Sequence, residues 1–184
     1  CANTYLATVQ DGNGCTDSMS FTINTSNGPA INSVVTDSVG CTGGSNGSIT
    51  VSTAGGTNPL SFNLMPGNVN NTTGTYPNLG QGNYSITATD ANNCTINTNI
   101  TINEPQALVW SAPMIVHVAC NGDSSGSITQ VATGGTPILS YNLMPGNITN
   151  SSGTFTSLLQ GSYTVIVTDA NNCTISTNIN ITEP

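Results

Sequence analysis

Few residues in this chain have side chains that could do chemistry. There are one histidine, eight acids and six cysteines in 184 residues, and neither lysine nor arginine occurs. His117 is the only candidate general base of the usual kind, and it lies in the apolar run 115–118 (IVHV), where we expect it to pack in a strand or face solvent. A catalytic histidine needs a nucleophile and an orienting partner around it, and no spacing in the sequence brings them together. We therefore predict no catalytic residue, no cofactor and no enzyme activity.

The acids that recur are typical of turns. Asp11, Asp90 and Asp169 each open a segment of the form Asp-x-Asn-x-Cys, where an aspartate side chain accepts a hydrogen bond from the backbone two residues on. The alternative is a calcium site formed by Glu104 and Asp169. Calcium takes six to eight oxygen ligands, and two carboxylates are a poor set, so we predict no metal site.

Composition restricts the partners. The net charge is −8, and without cationic side chains the chain lacks the groups that bind nucleic-acid phosphates or anionic lipids. No stretch approaches the roughly 20 apolar residues that cross a bilayer, so we expect no membrane insertion. Cysteines in a lysine-free chain rich in Thr and Asn indicate an oxidising, extracellular or cell-surface location. Since the sequence begins at Cys1, we interpret it as a mature or excised segment.

An internal repeat with a period of 79 residues organises the chain. Residues 61–68 (SFNLMPGN) return as residues 140–147 (SYNLMPGN), and residues 89–96 return unchanged as residues 168–175. Looking for such a period comes first because it determines the architecture. We predict three segments: 1–28 is the C-terminal part of an incomplete repeat, 29–106 is the first sandwich repeat, and 107–184 is the second.

Each repeat reads as a series of short strands. Runs rich in Thr, Val and Ile alternate with turns rich in Gly, Asn and Pro. In the second repeat we expect strands at 109–120, 127–132, 138–143, 154–158, 163–168 and 174–181. This spacing, without helical periodicity, predicts an all-β fold of tandem immunoglobulin-like β-sandwiches. Residues 1–28 supply two strands only, so we expect them to be ordered only with strands from upstream chain or another subunit.

The motifs of the repeat resemble a known family. Gly-Ser-Ile-Thr at 47–50, Gly-Gly-Thr at 55–57 and Gly-x-Tyr-x₄-Thr-Asp-x₃-Cys-Thr at 82–95 are similar to the repeats of the SprB-type gliding-motility adhesins of the Bacteroidota. The resemblance covers the whole chain. It implies a long cell-surface filament and carries no catalytic residue.

Two serines are candidate sites of modification. Asp17-Ser18-Met19 and Asp37-Ser38-Val39 resemble the O-glycosylation motif that Bacteroidota use on secreted proteins, which makes Ser18 and Ser38 possible glycosylation sites. Two coincidental triplets are the alternative.

The cysteine series leaves two pairings open. Cys41 and Cys120 are one repeat apart, as are Cys15, Cys94 and Cys173. Pairing within a repeat would join Cys41 to Cys94 and Cys120 to Cys173. A strand of seven or eight residues separates the members of each pair by roughly 25 Å, beyond the Cα distance of about 7 Å that a disulfide allows. Head-to-tail stacking instead favours Cys41 with Cys173, while Cys15, Cys94 and Cys120 bond neighbouring repeats outside this segment.

Two functions fit these observations. The first is a structural segment of an extracellular fibre, built from disulfide-stabilised repeats whose partners are neighbouring repeats or copies of the chain itself. The second is an adhesin whose repeats bind glycans or other surfaces directly. A binding face should carry an aromatic cluster in both repeats, but Trp110 is replaced by Ile31 at its repeat position, which favours the fibre.

Overall fold

The computed structural model of the chain describes residues 3–23 and 27–184. All regular elements in these residues are β-strands, and no helix capable of spanning a membrane is found among them. The chain divides into two compact units, Cys1–Asp37 with Gly47–Ile102 and Ser38–Asn46 with Asn103–Pro184. Residues 38–46 therefore belong to the first repeat by sequence and to the second unit by structure.

The first unit contains a hairpin followed by a seven-stranded sandwich. The strands are β1 Asn3–Gln10, β2 Thr16–Ile23, β3 Ala30–Asp37, β4 Gly47–Ala54, β5 Ser61–Met65, β6 Val69–Asn71, β7 Thr75–Leu79, β8 Gly82–Thr89 and β9 Thr95–Ile102. One sandwich sheet has the order β3-β4-β7 and the other β6-β5-β8-β9. Each pair is antiparallel, and alternate residues of β4, β5, β8 and β9 are buried, as the two-residue period of a strand requires.

The second unit repeats this arrangement. Its strands are β10 Val109–Trp110, β11 Met114–Val116, β12 Gly126–Thr129, β13 Ala132–Thr133, β14 Ser140–Met144, β15 Ile148–Asn150, β16 Thr154–Leu158, β17 Gly161–Thr168 and β18 Thr174–Ile181. The sheets are β11-β12-β16 and β15-β14-β17-β18, with β10 and β13 as a separate pair. One apolar cluster, which includes Ile128 and Phe155 of the first sheet and Leu143 and Val165 of the second, forms the core.

A conserved feature of sandwich domains supports the class of the fold. The hydroxyl of Tyr84 donates a hydrogen bond to the carbonyl of Gly80, and that of Tyr163 to the carbonyl of Leu159, both at 3.0 Å. A tyrosine at the start of this strand that bonds the backbone just upstream is the tyrosine corner of immunoglobulin-like domains. The all-β prediction and the prediction of tandem immunoglobulin-like sandwiches are confirmed.

Three details differ from the strands that the sequence suggests. The single strand expected at 109–120 is wrong: the chain forms β10 and β11 on either side of residues 111–113, where Pro113 has no N–H for a sheet. The strand expected at 127–132 is likewise divided into β12 and β13, and at the break the side-chain amide of the buried Gln130 donates to the carbonyl of Ser111 at 2.8 Å. The three-residue strands β6 and β15 were not expected at all, and they follow the Met-Pro-Gly turns.

The hairpin at the start of the chain forms a two-stranded sheet in the part of the chain that the structure describes. β1 pairs with β2 over eight residue pairs, from Asn3 with Ile23 to Gln10 with Thr16, and with no other strand among the described residues. All residues from 4 to 23 are exposed, although the rings of Tyr5 and Phe21 stack at 5.9 Å. The described residues show the hairpin paired within itself, and the expectation that it needs additional strands stays a prediction.

Candidate functional site: a disulfide-linked loop and an acidic turn

The turn that joins β17 to β18, which we call the acidic turn (residues 169–173), is organised by one carboxylate. Oδ1 of Asp169 accepts hydrogen bonds from the backbone N–H groups of Asn171 at 2.9 Å and Cys173 at 2.8 Å. Oδ2 accepts a third from the N–H of Thr136, 33 residues away, at 2.8 Å. The residue is only 4% exposed. These three donors therefore compensate for the hydrogen bonds to water that the carboxylate loses when it is buried.

These donors determine the charge state of the turn. The N–H of Thr136, followed by those of Cys173 and Asn171, holds the pKa of Asp169 below its ordinary value, while burial acts in the opposite direction. Hydrogen bonds to the ionised form of a carboxylate favour that form. At neutral pH the acidic turn therefore contains a negative charge, and both oxygens of its carboxylate accept hydrogen bonds from the backbone.

The first repeat has the same turn. Asp90 accepts from the N–H groups of Thr57, Asn92 and Cys94 at 2.8–3.0 Å. The N–H of Thr57 is the first of the causes that lower the pKa of Asp90. The turn interpretation made from the sequence therefore describes both residues, and the carboxylate also holds the loop that contains Thr57 or Thr136.

A disulfide joins the acidic turn to the loop formed by residues 38–46, which we call the Cys41 loop. The Sγ atoms of Cys41 and Cys173 are bonded at 1.98 Å, and their Cα atoms lie 5.7 Å apart, within the usual range for a disulfide. This is the pair that head-to-tail stacking predicts, rather than Cys41 with Cys94. The bond spans 132 positions of sequence and connects a residue of the first sequence repeat to a residue of the second.

Hydrogen bonds fix the Cys41 loop around this disulfide. The side-chain amide of Asn171 donates to the carbonyl of Gly40 at 2.9 Å. On the other side of the loop, Oε2 of Glu104 accepts from the N–H of Gly43 at 2.7 Å, and the hydroxyl of Thr42 donates to the carbonyl of Pro105 at 2.8 Å. Hydrogen bonds on both sides of Cys41, at Gly40 and at Thr42 and Gly43, therefore restrict the conformation of the loop together with the disulfide.

The capping role of the glutamates is what the sequence interpretation missed. Glu183, one repeat after Glu104, accepts from the N–H of Gly122 at 2.8 Å and from the side-chain amide of Asn121 at 2.9 Å. Each glutamate therefore caps a glycine-containing loop 61 residues upstream. The Glu-Pro pairs at 104–105 and 183–184 recur at the repeat period, and that recurrence was the available signal for their role.

The described part of the chain shows no grouping of side chains that could hold a metal ion. No three His, Cys, Asp or Glu side chains converge there. A cavity of about 500 Å³ lies beside the disulfide, with Pro105, Leu108 and Ile175 among its apolar walls. Asp169, the one carboxylate in these walls, already has its oxygens occupied by backbone donors.

The remaining candidate residues lie at the surface. His117 is exposed just after β11, and its Nδ1 accepts the N–H of Thr182 at 3.1 Å. Ser18 and Ser38 are both exposed, and the N–H of Ser18 bonds the carboxylate of Asp17 at 2.9 Å. Glycosylation at these two serines stays a prediction.

Three further cysteines of the series are distributed over both units. Cys15 and Cys120 are exposed and form no disulfide within the described residues, and Cys94 is half-buried. Cys120 occupies the repeat position of Cys41, while Cys15 and Cys94 occupy that of Cys173. Their pairing with neighbouring repeats stays a prediction.

Comparison with known proteins finds similarity to one sequence family and to several solved structures of low sequence identity. The model of the SprB repeat matches residues 33–69 and 114–148. No curated protein sequence matches the chain.

Among solved structures, the N-terminal eight Ig domains of Down Syndrome Cell Adhesion Molecule isoform 1.30.30 have 16% identity and a TM-score of 0.46 over 98% of this chain. The C-terminal 282-residue fragment of intimin, solved with the intimin-binding domain of its translocated receptor, has 16% identity and a TM-score of 0.46 over 82% of this chain. Sidekick-1 immunoglobulin domains 1–4 have 13% identity and a TM-score of 0.44 over 100% of it. The chain spans 28%, 63% and 58% of these three chains, respectively.

Proposed function

We propose that this chain, two segments of which match the SprB repeat, is a structural segment of an extracellular fibre or cell-surface filament whose successive repeats are linked by disulfides. The observation that carries the proposal is the Cys41–Cys173 bond, which joins one 79-residue repeat to the next. Because the chain has neither lysine nor arginine, no ion pair between such a residue and an acid can hold its repeats together. Covalent bonds between repeats supply that stability instead.

The repeat period extends this bond to other copies of the unit. If every repeat bonds the next in the same way, Cys120 bonds a cysteine 79 residues beyond the position of Cys173, in a further repeat. Cys120 is exposed, so it is accessible to such a partner. The partners of this chain are then neighbouring repeats or other copies of itself, and the function is mechanical rather than enzymatic.

The test is thiol mapping and microscopy of the native, unreduced material. We expect Cys120 to resist alkylation by a maleimide before reduction and to react after it, as Cys41 and Cys173 should. Negative-stain images should show filaments with a regular repeat. Quantitative alkylation of Cys120 in native filaments would refute the disulfide-linked arrangement, and isolated particles without filaments would refute the fibre.

A further inference from the structure

The hairpin β1–β2 exposes the face that the complete repeats bury. Shifted by one repeat, Ala7 and Val9 take the positions of Ile86 and Ala88, and Phe21 and Ile23 take those of Ile100 and Ile102. The four residues of the complete repeat are at most 7% exposed, whereas Val9 is 67% exposed and Ile23 is 54% exposed. The hairpin therefore has the inner face of a sandwich sheet without the opposite sheet.

The turn of the hairpin is also incomplete. Oδ1 of Asp11 accepts from the N–H groups of Asn13 and Cys15, both at 2.9 Å, which are the counterparts of two of the three bonds to Asp169. The third bond, from Thr136 or Thr57, comes from the loop that precedes β14 or β5. No counterpart of that loop is present among residues 3–23.

Among the described residues, the edge of β1 that faces away from β2 also lacks the strand that pairs there in a complete repeat. In the first complete repeat β8 pairs on one side with β9 and on the other with β5, in a register that sets Leu64 beside Ile86 and Phe62 beside Ala88. Within residues 3–23 and 27–184, β1, the counterpart of β8, pairs only with β2. Its other edge therefore presents unpaired backbone N–H and C=O groups to any strand that fits.

We propose that β1–β2 is a docking surface for the first five strands of another repeat of the same type, carried in the same polypeptide ahead of the hairpin. Such a segment, the counterpart of β3–β7, supplies an apolar inner face, a strand for the edge of β1 and a loop N–H for the second oxygen of Asp11. Two residues separate β7 from β8 and β16 from β17, and Cys1 and Ala2 occupy the corresponding positions. The inference depends on the repeat and does not require the fibre.

The experiment extends the chain by one half-repeat. A copy of residues 29–79 is joined directly before Cys1, with Cys41→Ser in the copy so that no new disulfide contributes. Hydrogen exchange of the amides in 3–10 is then compared between the extended and original chains, with the amides in 82–89 as the internal reference. We expect exchange in the hairpin to slow by about a hundredfold or more, as for core strands, while the reference is unchanged.

Two further arms make the result decisive. An extension made from residues 108–158, with Cys120→Ser in the copy, should protect the hairpin equally, and failure of both extensions to slow exchange overturns the proposal. In the extended chain, Asp11→Asn should reduce this protection because an amide offers only one acceptor oxygen, whereas in the original chain it should have no effect. If residues 29–79, added as a separate peptide at equal concentration, protect the hairpin as well as the joined segment does, the assignment to the same polypeptide is refuted.

Discussion

Asp169 links a local turn to a distant loop through a single side chain. Its two oxygens accept from donors on different segments, Asn171 and Cys173 on one side and Thr136 on the other. An asparagine offers one acceptor oxygen, so in Asp169→Asn the N–H of Thr136 loses its partner in one orientation of the amide, and those of Asn171 and Cys173 lose theirs in the other. A buried donor without an acceptor is destabilising. We expect a lower melting temperature at pH 7, measured by circular dichroism.

Asp123→Asn is the matched control for this substitution. The carboxylate of Asp123 is exposed and receives one bond, from the N–H of Ser124 to Oδ1 at 2.7 Å, which an amide oxygen can keep. The melting temperature should stay close to that of the unaltered chain. Equal losses in the two variants would show that the donors of Asp169 do not matter.

The pH dependence of stability tests the same carboxylate. Because the pKa of Asp169 is lowered in the folded state, its contribution is complete above the ordinary aspartate pKa of about 3.9 and is lost as the pH falls through the lower folded value. The difference in melting temperature between the original chain and Asp169→Asn should therefore be constant from pH 7 to pH 5 and shrink below about pH 4. A difference that persists unchanged in strong acid contradicts this origin.

Among the elements, β12 carries the residue that best reports on the core. Ile128 is fully buried in the apolar cluster of the second unit. Its replacement in Ile128→Ala leaves a cavity, and we expect the free energy of unfolding to fall by about 2–5 kcal/mol. Urea denaturation gives this value from the midpoint and slope. Ile138→Ala is the control, because Ile138 is 80% exposed, and a loss as large as that of Ile128→Ala would contradict the position of the core.

The sequence predicts these elements best where side chains alternate. β17 and β18, with the turn of Asp169 between them, follow directly from the period of two and the turn residues. The break between β10 and β11 coincides with Pro113, a signal that the sequence contains, whereas the bond from Gln130 to Ser111 beside the break between β12 and β13 depends on the fold. The caps from Glu104 to Gly43 depend on the fold rather than on sequence neighbours, so spacing alone could not assign them.

At the scale of the whole molecule, we expect removal of the disulfide to lower the free energy of unfolding the most. The loop that it closes spans 132 positions, and if closure entropy dominates, the bond contributes about 5 kcal/mol. We expect the double variant Cys41→Ser with Cys173→Ser to melt at a lower temperature and to be insensitive to a reducing agent. Cys120→Ser, in a chain that keeps the bond, should leave the melting temperature of the isolated chain unchanged. If reduction of the original chain leaves its melting temperature unchanged, the bond is not stabilising.

The same disulfide determines which part of the chain bears a load when the chain is pulled. When the two ends are drawn apart, the load passes from Cys41 to Cys173 through the sulfur atoms and bypasses the residues between them. At about 3.5 Å per residue, this shields roughly 460 Å of contour length from extension. A backbone cut anywhere within that span also leaves both pieces in one covalent molecule. A chain of such repeats with its disulfides formed would therefore extend little under force and would stay covalently connected after a single backbone cut within the span.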